Sequence, residues 1–139
     1  DHRDLHSFPT RRSSDLAIKF AKSLVAGDIV LLSGDLGAGK TQFAKGVAKG
    51  LGIKNGVPSP TFTIMNSYDD TLFHFDLYRL KSYDELMAVG AEEYLYSGGK
   101  SLVEWPECVG IENFPNYAII VSIKKLDENK REITIRRGK

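Results

Sequence analysis

One stretch constrains this 139-residue chain more than any other. It is Gly34-Asp35-Leu36-Gly37-Ala38-Gly39-Lys40-Thr41, a Gly-x-x-x-x-Gly-Lys-Thr sequence lying between a strand pattern and a helix pattern. Before it, Ile29-Val30-Leu31-Leu32 is a short unbroken apolar run between Asp28 and Gly34, which suits a parallel strand covered on both faces. After it, Phe43, Val47 and Leu51, flanked by Ala44 and Ala48, mark an amphipathic helix stopping at Gly52. Strand, glycine loop and helix in that order let successive backbone N–H groups face a phosphate, where the helix N-terminus adds the positive end of its dipole. Asp35, Leu36, Gly37, Ala38, Gly39, Lys40, Thr41 and Gln42 are therefore assigned to nucleotide binding. Lys40 supplies a mobile cation for the β- and γ-phosphates, and the Thr41 hydroxyl is a ligand for Mg²⁺. The plain alternative is a glycine-rich turn with an incidental lysine.

Phosphoryl chemistry also needs carboxylates, for magnesium and for placing the attacking water. Two stand at predicted strand ends: Asp76 closes Leu72-Phe73-His74-Phe75-Asp76, and Glu104 closes Ser101-Leu102-Val103-Glu104. The carboxyl ends of parallel strands converge on the ligand in such folds, so both acids are expected near the loop. His74 alternates with apolar neighbours and reads as a structural or rim residue rather than a base.

The rest of the chain supports one α/β domain over residues 17–139. Leu16, Phe20 and Leu24 give a helix with one buried face, ending at Gly27. Residues 56–60 read as loop, 61–68 and 71–76 as strands around Asp69-Asp70, and Ser82 with Glu85 as a capping box. Tyr117–Ile123 and Glu132–Arg137 finish as strands around a polar turn at 127–130. Residues 1–16 differ: they lack hydrophobic periodicity, and His6 to Leu16, HSFPTRRSSDL, resembles the translation of a sequencing adapter. They are read as an appended or disordered segment, with a native arm capping the next helix through Ser14 or Asp15 as the alternative. A frayed sheet edge and weakened nucleotide affinity are the corresponding expectations.

Composition excludes several classes. Nineteen basic against 18 acidic residues leave a net charge of +1, no broad field for holding nucleic acid unaided. The lone Cys108 has no intramolecular disulfide partner, and no apolar run approaches the roughly 18 residues of a membrane helix. No membrane association and a cytoplasmic location are expected.

Four stretches together resemble the TsaE (YjeE) family of P-loop ATPases from bacterial tRNA threonylcarbamoyladenosine synthesis. They are GDLGAGKTQF at Gly34–Phe43, SPTF at Ser59–Phe62, HFDLYRL at His74–Leu80 and VEWPE at Val103–Glu107. The resemblance implies a P-loop NTPase-like fold: a mostly parallel central sheet with helices on both faces and antiparallel C-terminal strands. It implies ATP hydrolysis to ADP with Mg²⁺, in support of TsaD and TsaB partners that transfer threonylcarbamoyl to tRNA; the tRNA is met only through that complex. Carried onto this sequence, Lys40 holds phosphate, Thr41 and Glu104 bind Mg²⁺, and Asp76 orients or activates water. Thr61 becomes a switch residue sensing γ-phosphate or metal, Trp105 lines the cleft or the partner surface, and Arg131 matches a basic residue near the nucleotide. Thr61 reads equally as part of a plain proline-containing loop, and a single tryptophan such as Trp105 is commonly core.

Two other functions compete with an accessory ATPase, slow alone and stimulated by partners. A small P-loop kinase is disfavoured, since kinases need a lid that brings arginine to the phosphoryl group, and only Arg79 lies between the loop and residue 131. A nucleotide-gated binding module with little turnover remains compatible with every motif named.

Overall fold

The computed structural model describes residues 3–35, 37–53, 64–68 and 71–138, with side chains from residue 14 onward. Its elements are β1 (Arg3–Pro9), α1 (Thr10–Lys22), β2 (Ile29–Ser33), α2 (Lys40–Gly50), β3 (Met65–Tyr68), β4 (Leu72–Asp76), α3 (Tyr83–Ala88), α4 (Ala91–Leu95), β5 (Lys100–Glu104), β6 (Ile119–Asp127) and β7 (Lys130–Arg137). All strands join one sheet in the order β1-β7-β6-β2-β5-β4-β3. The central four, β6, β2, β5 and β4, run parallel, while β7 and β1 add antiparallel at one edge and β3 at the other. The expected parallel centre with antiparallel C-terminal strands is thus present.

Strand alternation splits the apolar residues between two cores. Val30 and Leu32 of β2, Leu102 of β5 and Val121 of β6 face α1 and α2, packing with Phe20, Phe43 and Val47. Ile29, Leu31, Val103 and Phe75 face the other way, toward Leu86 of α3 and Leu95 of α4. A period of two with both faces covered explains why β2 reads as an unbroken apolar run.

Helices α1 and α2 pack almost backbone to backbone. A Cβ at Gly46 would meet Ala17 Cβ at 2.6 Å and Ser14 O at 2.9 Å; one at Gly50 would meet Ile18 O at 2.5 Å. Gly-x-x-x-Gly on one helix face is what permits this approach. Of the expected capping box, the N-cap bond forms, with Glu85 N–H donating to Ser82 Oγ at 3.2 Å.

The N-terminal segment differs from expectation in its local structure. Residues 3–9 pair with β7 along their whole length, Arg3 opposite Arg136 through Pro9 opposite Lys130, so the sheet edge at β7 is covered rather than frayed. An edge strand needs one partner and uses main-chain groups that any non-proline residue carries, so a polar segment qualifies without hydrophobic periodicity. Helix α1 starts at Thr10, which puts Ser14 and Asp15 inside it and removes both as caps. The pairing speaks to the backbone and not to the segment's origin.

Candidate functional site

The carboxyl ends of β2, β4 and β5 share one edge of the sheet because these strands are parallel. Strand β2 ends at Ser33 and runs directly into the glycine loop. Gly34 sits where the chain passes β6: a Cβ there would lie 2.7 Å from the Ile123 carbonyl oxygen, closer than any side chain tolerates. Gly39 is the N-cap of α2 with φ of 106°, a left-handed conformation open to glycine at little cost. Lys40 is therefore the first residue of α2, and Thr41, exposed, is the second.

Lys40 is buried, only 6% exposed, yet its Nζ has no hydrogen-bond partner among the described residues. Burial pushes its pKa below the ordinary lysine value, while the negative charges of Glu104, Glu107, Asp76 and Asp35 push back. One group does meet it: Nζ lies 3.3 Å from the ring centroid of Trp105, a cation–π contact. Trp105 has φ of 58°, the only non-glycine positive φ among the described residues. That conformation costs about 1 kcal/mol or more for a residue with a Cβ. The Trp105 ring also packs on Tyr78, centroids 4.9 Å apart, and Tyr78 is 55% exposed.

Asp76 and Glu104 stand side by side, being register partners at the ends of β4 and β5. Asp76 Oδ1 accepts the Tyr78 N–H at 3.0 Å, and Leu77 N–H donates to the Glu104 carbonyl, which ties the turn after β4 to β5. Glu104 Oε2 is 2.6 Å from His74 Nε2, with His74 buried. Glu107 lies beyond, its Oε2 3.4 Å from Ser33 Oγ.

Lys40, Glu104, Asp76 and Trp105 thus come together, with Asp35, Gly37, Ala38, Gly39, Thr41 and Gln42 on the loop and first turn beside them. Leu36 and Thr61 lie outside the described residues. Arg131 also lies against the loop: it is 8% exposed, and its guanidinium is committed to main-chain carbonyls. Nε donates to Ala38 O at 2.8 Å, Nη1 to Asp127 O at 3.0 Å and Lys130 O at 3.1 Å, and Nη2 reaches Gly37 O at 3.5 Å. It grips the outer, carbonyl side of the loop. Sequence reading missed His74 as a partner of Glu104, Glu107 as a neighbour of the lysine, and Tyr78 as a neighbour of Trp105. Only the alignment of β4 with β5 shows the first, though the His-x-Asp spacing was a cue.

Among the described residues there is no group of three or more His, Cys, Asp or Glu side chains placed to hold a metal ion. Nor is any described helix long and apolar enough to cross a membrane.

A family model described as Threonylcarbamoyl adenosine biosynthesis protein TsaE matches residues 9–133. The chain belongs to the TsaE family. It is 44% identical over 114 residues to the tRNA threonylcarbamoyladenosine biosynthesis protein TsaE of Treponema pallidum (strain Nichols), covering 81% of this chain and 84% of the relative. It is 42% identical over 135 residues to the TsaE protein of Bacillus subtilis (strain 168), covering 95% and 82%. The crystal structure of Bacillus subtilis YdiB superposes with a TM-score of 0.79 at 33% identity, covering 99% of this chain and 86% of that one. The TsaE family's role is in tRNA threonylcarbamoyladenosine biosynthesis.

Proposed function

We propose that this TsaE-family chain is a Mg²⁺-dependent ATPase of the cytoplasm, an accessory to TsaD- and TsaB-type partners during threonylcarbamoyl transfer to tRNA adenosine. The observation that carries this is Lys40: a buried ammonium without a hydrogen bond, at the first turn of a helix entered through a glycine loop, among four carboxylates. Such a group is costly unless a strongly anionic ligand arrives to meet it. A nucleotide's β- and γ-phosphates fit that requirement, cradled by residues 35–42. The Thr41 hydroxyl and Glu104 are the donors for Mg²⁺, which when bound neutralises charge on the phosphate oxygens. Asp76, held by the Tyr78 N–H, is the residue for orienting water. Thr61 is assigned to sensing the γ-phosphate on the strength of family resemblance alone. Because Arg131 spends its donors on carbonyls, the main cation of the site is Lys40, and slow turnover raised by partners follows.

A second reading, a nucleotide-gated binding module with little turnover, draws support from the contact series Lys40–Trp105–Tyr78. A phosphate that captures Lys40 takes it from the Trp105 ring, and the change reaches the surface at Tyr78.

Trp105 is the chain's single tryptophan, so titration of its fluorescence with Mg²⁺-ADP and Mg²⁺-ATP tests the site directly. The parent should respond and Lys40→Ala should not. Phosphate release, with and without the partner proteins, then separates the two readings. Asp76→Ala and Glu104→Ala should each abolish turnover; unchanged turnover in both would sink the catalytic assignment.

A further inference from the structure

His74 sits on β4, inside the sheet, 2% exposed, between the buried Phe73 and Phe75. Alternation of the strand turns it away from those two phenyl rings, and its register partner is Leu102, two residues before Glu104. Its Nε2 lies 2.6 Å from Glu104 Oε2. With the Glu104 carboxylate as acceptor, Nε2 is the donor of this contact. The other ring nitrogen, Nδ1, is buried with no partner among the described residues. Among the described residues the histidine's one side-chain polar contact is therefore the Glu104 carboxylate. The imidazole is thus anchored by β4 on one side and by the carboxylate on the other.

We propose that His74 is the positioning residue for Glu104, holding one carboxylate oxygen so that the group meets a divalent cation in a single orientation. The proposal rests on the reading of Glu104 as the Mg²⁺ ligand. A carboxylate at a strand end has two free torsions beyond Cβ, and a charge-assisted bond of this length removes the rotation that metal binding would otherwise have to freeze. His74 touches neither nucleotide nor metal in this role.

Mn²⁺ stands in for Mg²⁺ in the test, because its binding is counted directly by the loss of the free-ion electron paramagnetic resonance signal in the presence of ADP. His74→Leu keeps volume and removes the donor; His74→Gln returns an amide N–H near the place of Nε2. His74→Leu should weaken Mn²⁺ binding about 10-fold or more, the usual range for losing such a partner, and His74→Gln should recover most of it. ADP affinity measured in EDTA should be the same in all three proteins. In a Glu104→Ala background, His74→Leu should have almost no further effect on Mn²⁺. If His74→Leu does not fold, His74→Asn, which keeps polarity but draws the donor back from Oε2, carries the same comparison. Parent-like Mn²⁺ affinity in the folded variant, or an equal loss without Glu104, would overturn the positioning role. A parent with no metal-dependent ADP binding would instead take down the reading of the site itself.

Discussion

Replacing Arg131 by methionine should cost the protein both stability and glycine-loop order, with a magnitude set by the four carbonyls the guanidinium serves. The fourth contact, to Gly37 O at 3.5 Å, is at the limit of a hydrogen bond and counts for little. The bond to Ala38 O at 2.8 Å is buried, so methionine leaves that carbonyl without a partner and without water. A buried bond to a charged donor contributes about 1.5–3 kcal/mol. The carbonyls of Asp127 and Lys130 lie at a hairpin turn and are only partly buried, so water replaces much of what is lost there. Adding about 0.5 kcal/mol for each gives a total near 3 kcal/mol. At roughly 4 °C per kcal/mol for a domain of this size, the melting temperature should fall by about 12 °C. Arg131→Lys reaches one carbonyl with one ammonium and should restore about half. Thermal unfolding by circular dichroism reads the stability, and calorimetric titration with ADP reads the loop, whose affinity should fall in the order parent, lysine, methionine. A methionine variant melting within about 4 °C of the parent would refute the argument, because no buried carbonyl could then have been left unpaired.

Lys40→Met should raise stability at pH 7 while abolishing nucleotide binding, since it removes a desolvated charge. The sign follows from linkage: Lys40 has its pKa lowered in the folded state, so the parent gains stability as pH rises toward the unfolded value of 10.5. The methionine variant lacks that gain, and its advantage should shrink between pH 7 and pH 10; a constant difference in melting temperature would count against burial as the cause. Gly50→Ala should destabilise despite alanine's better helix propensity. The new Cβ meets Ile18 O at 2.5 Å, and overpacking of about 1–3 kcal/mol exceeds a propensity gain of about 1 kcal/mol. Urea unfolding would show a neutral or stabilising change if α1 can move aside. Ser82→Ala should cost about 1 kcal/mol by freeing the Glu85 N–H, with the same titration as the check.

The parts legible in the sequence are those decided locally. Strand β2, the glycine loop and α2 follow one another along the chain, and each carries its own pattern, so the site's centre could be read from residues 29–51. Asp76 and Glu104 were legible because both close apolar runs whose ends must converge in a parallel sheet. What escaped depends on contacts between distant segments. Arg131 grips Ala38 across 93 positions, and nothing in the alternation of β7 says which of its residues turns to the loop. His74 meets Glu104 only because β4 and β5 pair in one register. Gly46 and Gly50 read as poor helix formers until α1 is seen lying against them. Strand β1 was invisible because main-chain pairing at an edge leaves no periodic trace.

The glycine-lined contact between α1 and α2 has a mechanical consequence. Atoms of α1 occupy the space that a Cβ on Gly46 or Gly50 would need, so α2 has little room to move toward α1 at either position. A pull on the first turn of α2 is therefore felt by a closely packed helix pair rather than by one helix alone. The other contact of that turn is of a different kind: Lys40 leans on a tryptophan of positive φ, and the tryptophan on an exposed tyrosine. A ligand that drew on Lys40 would thus act first on the tryptophan and the tyrosine, on the side away from the helix pair.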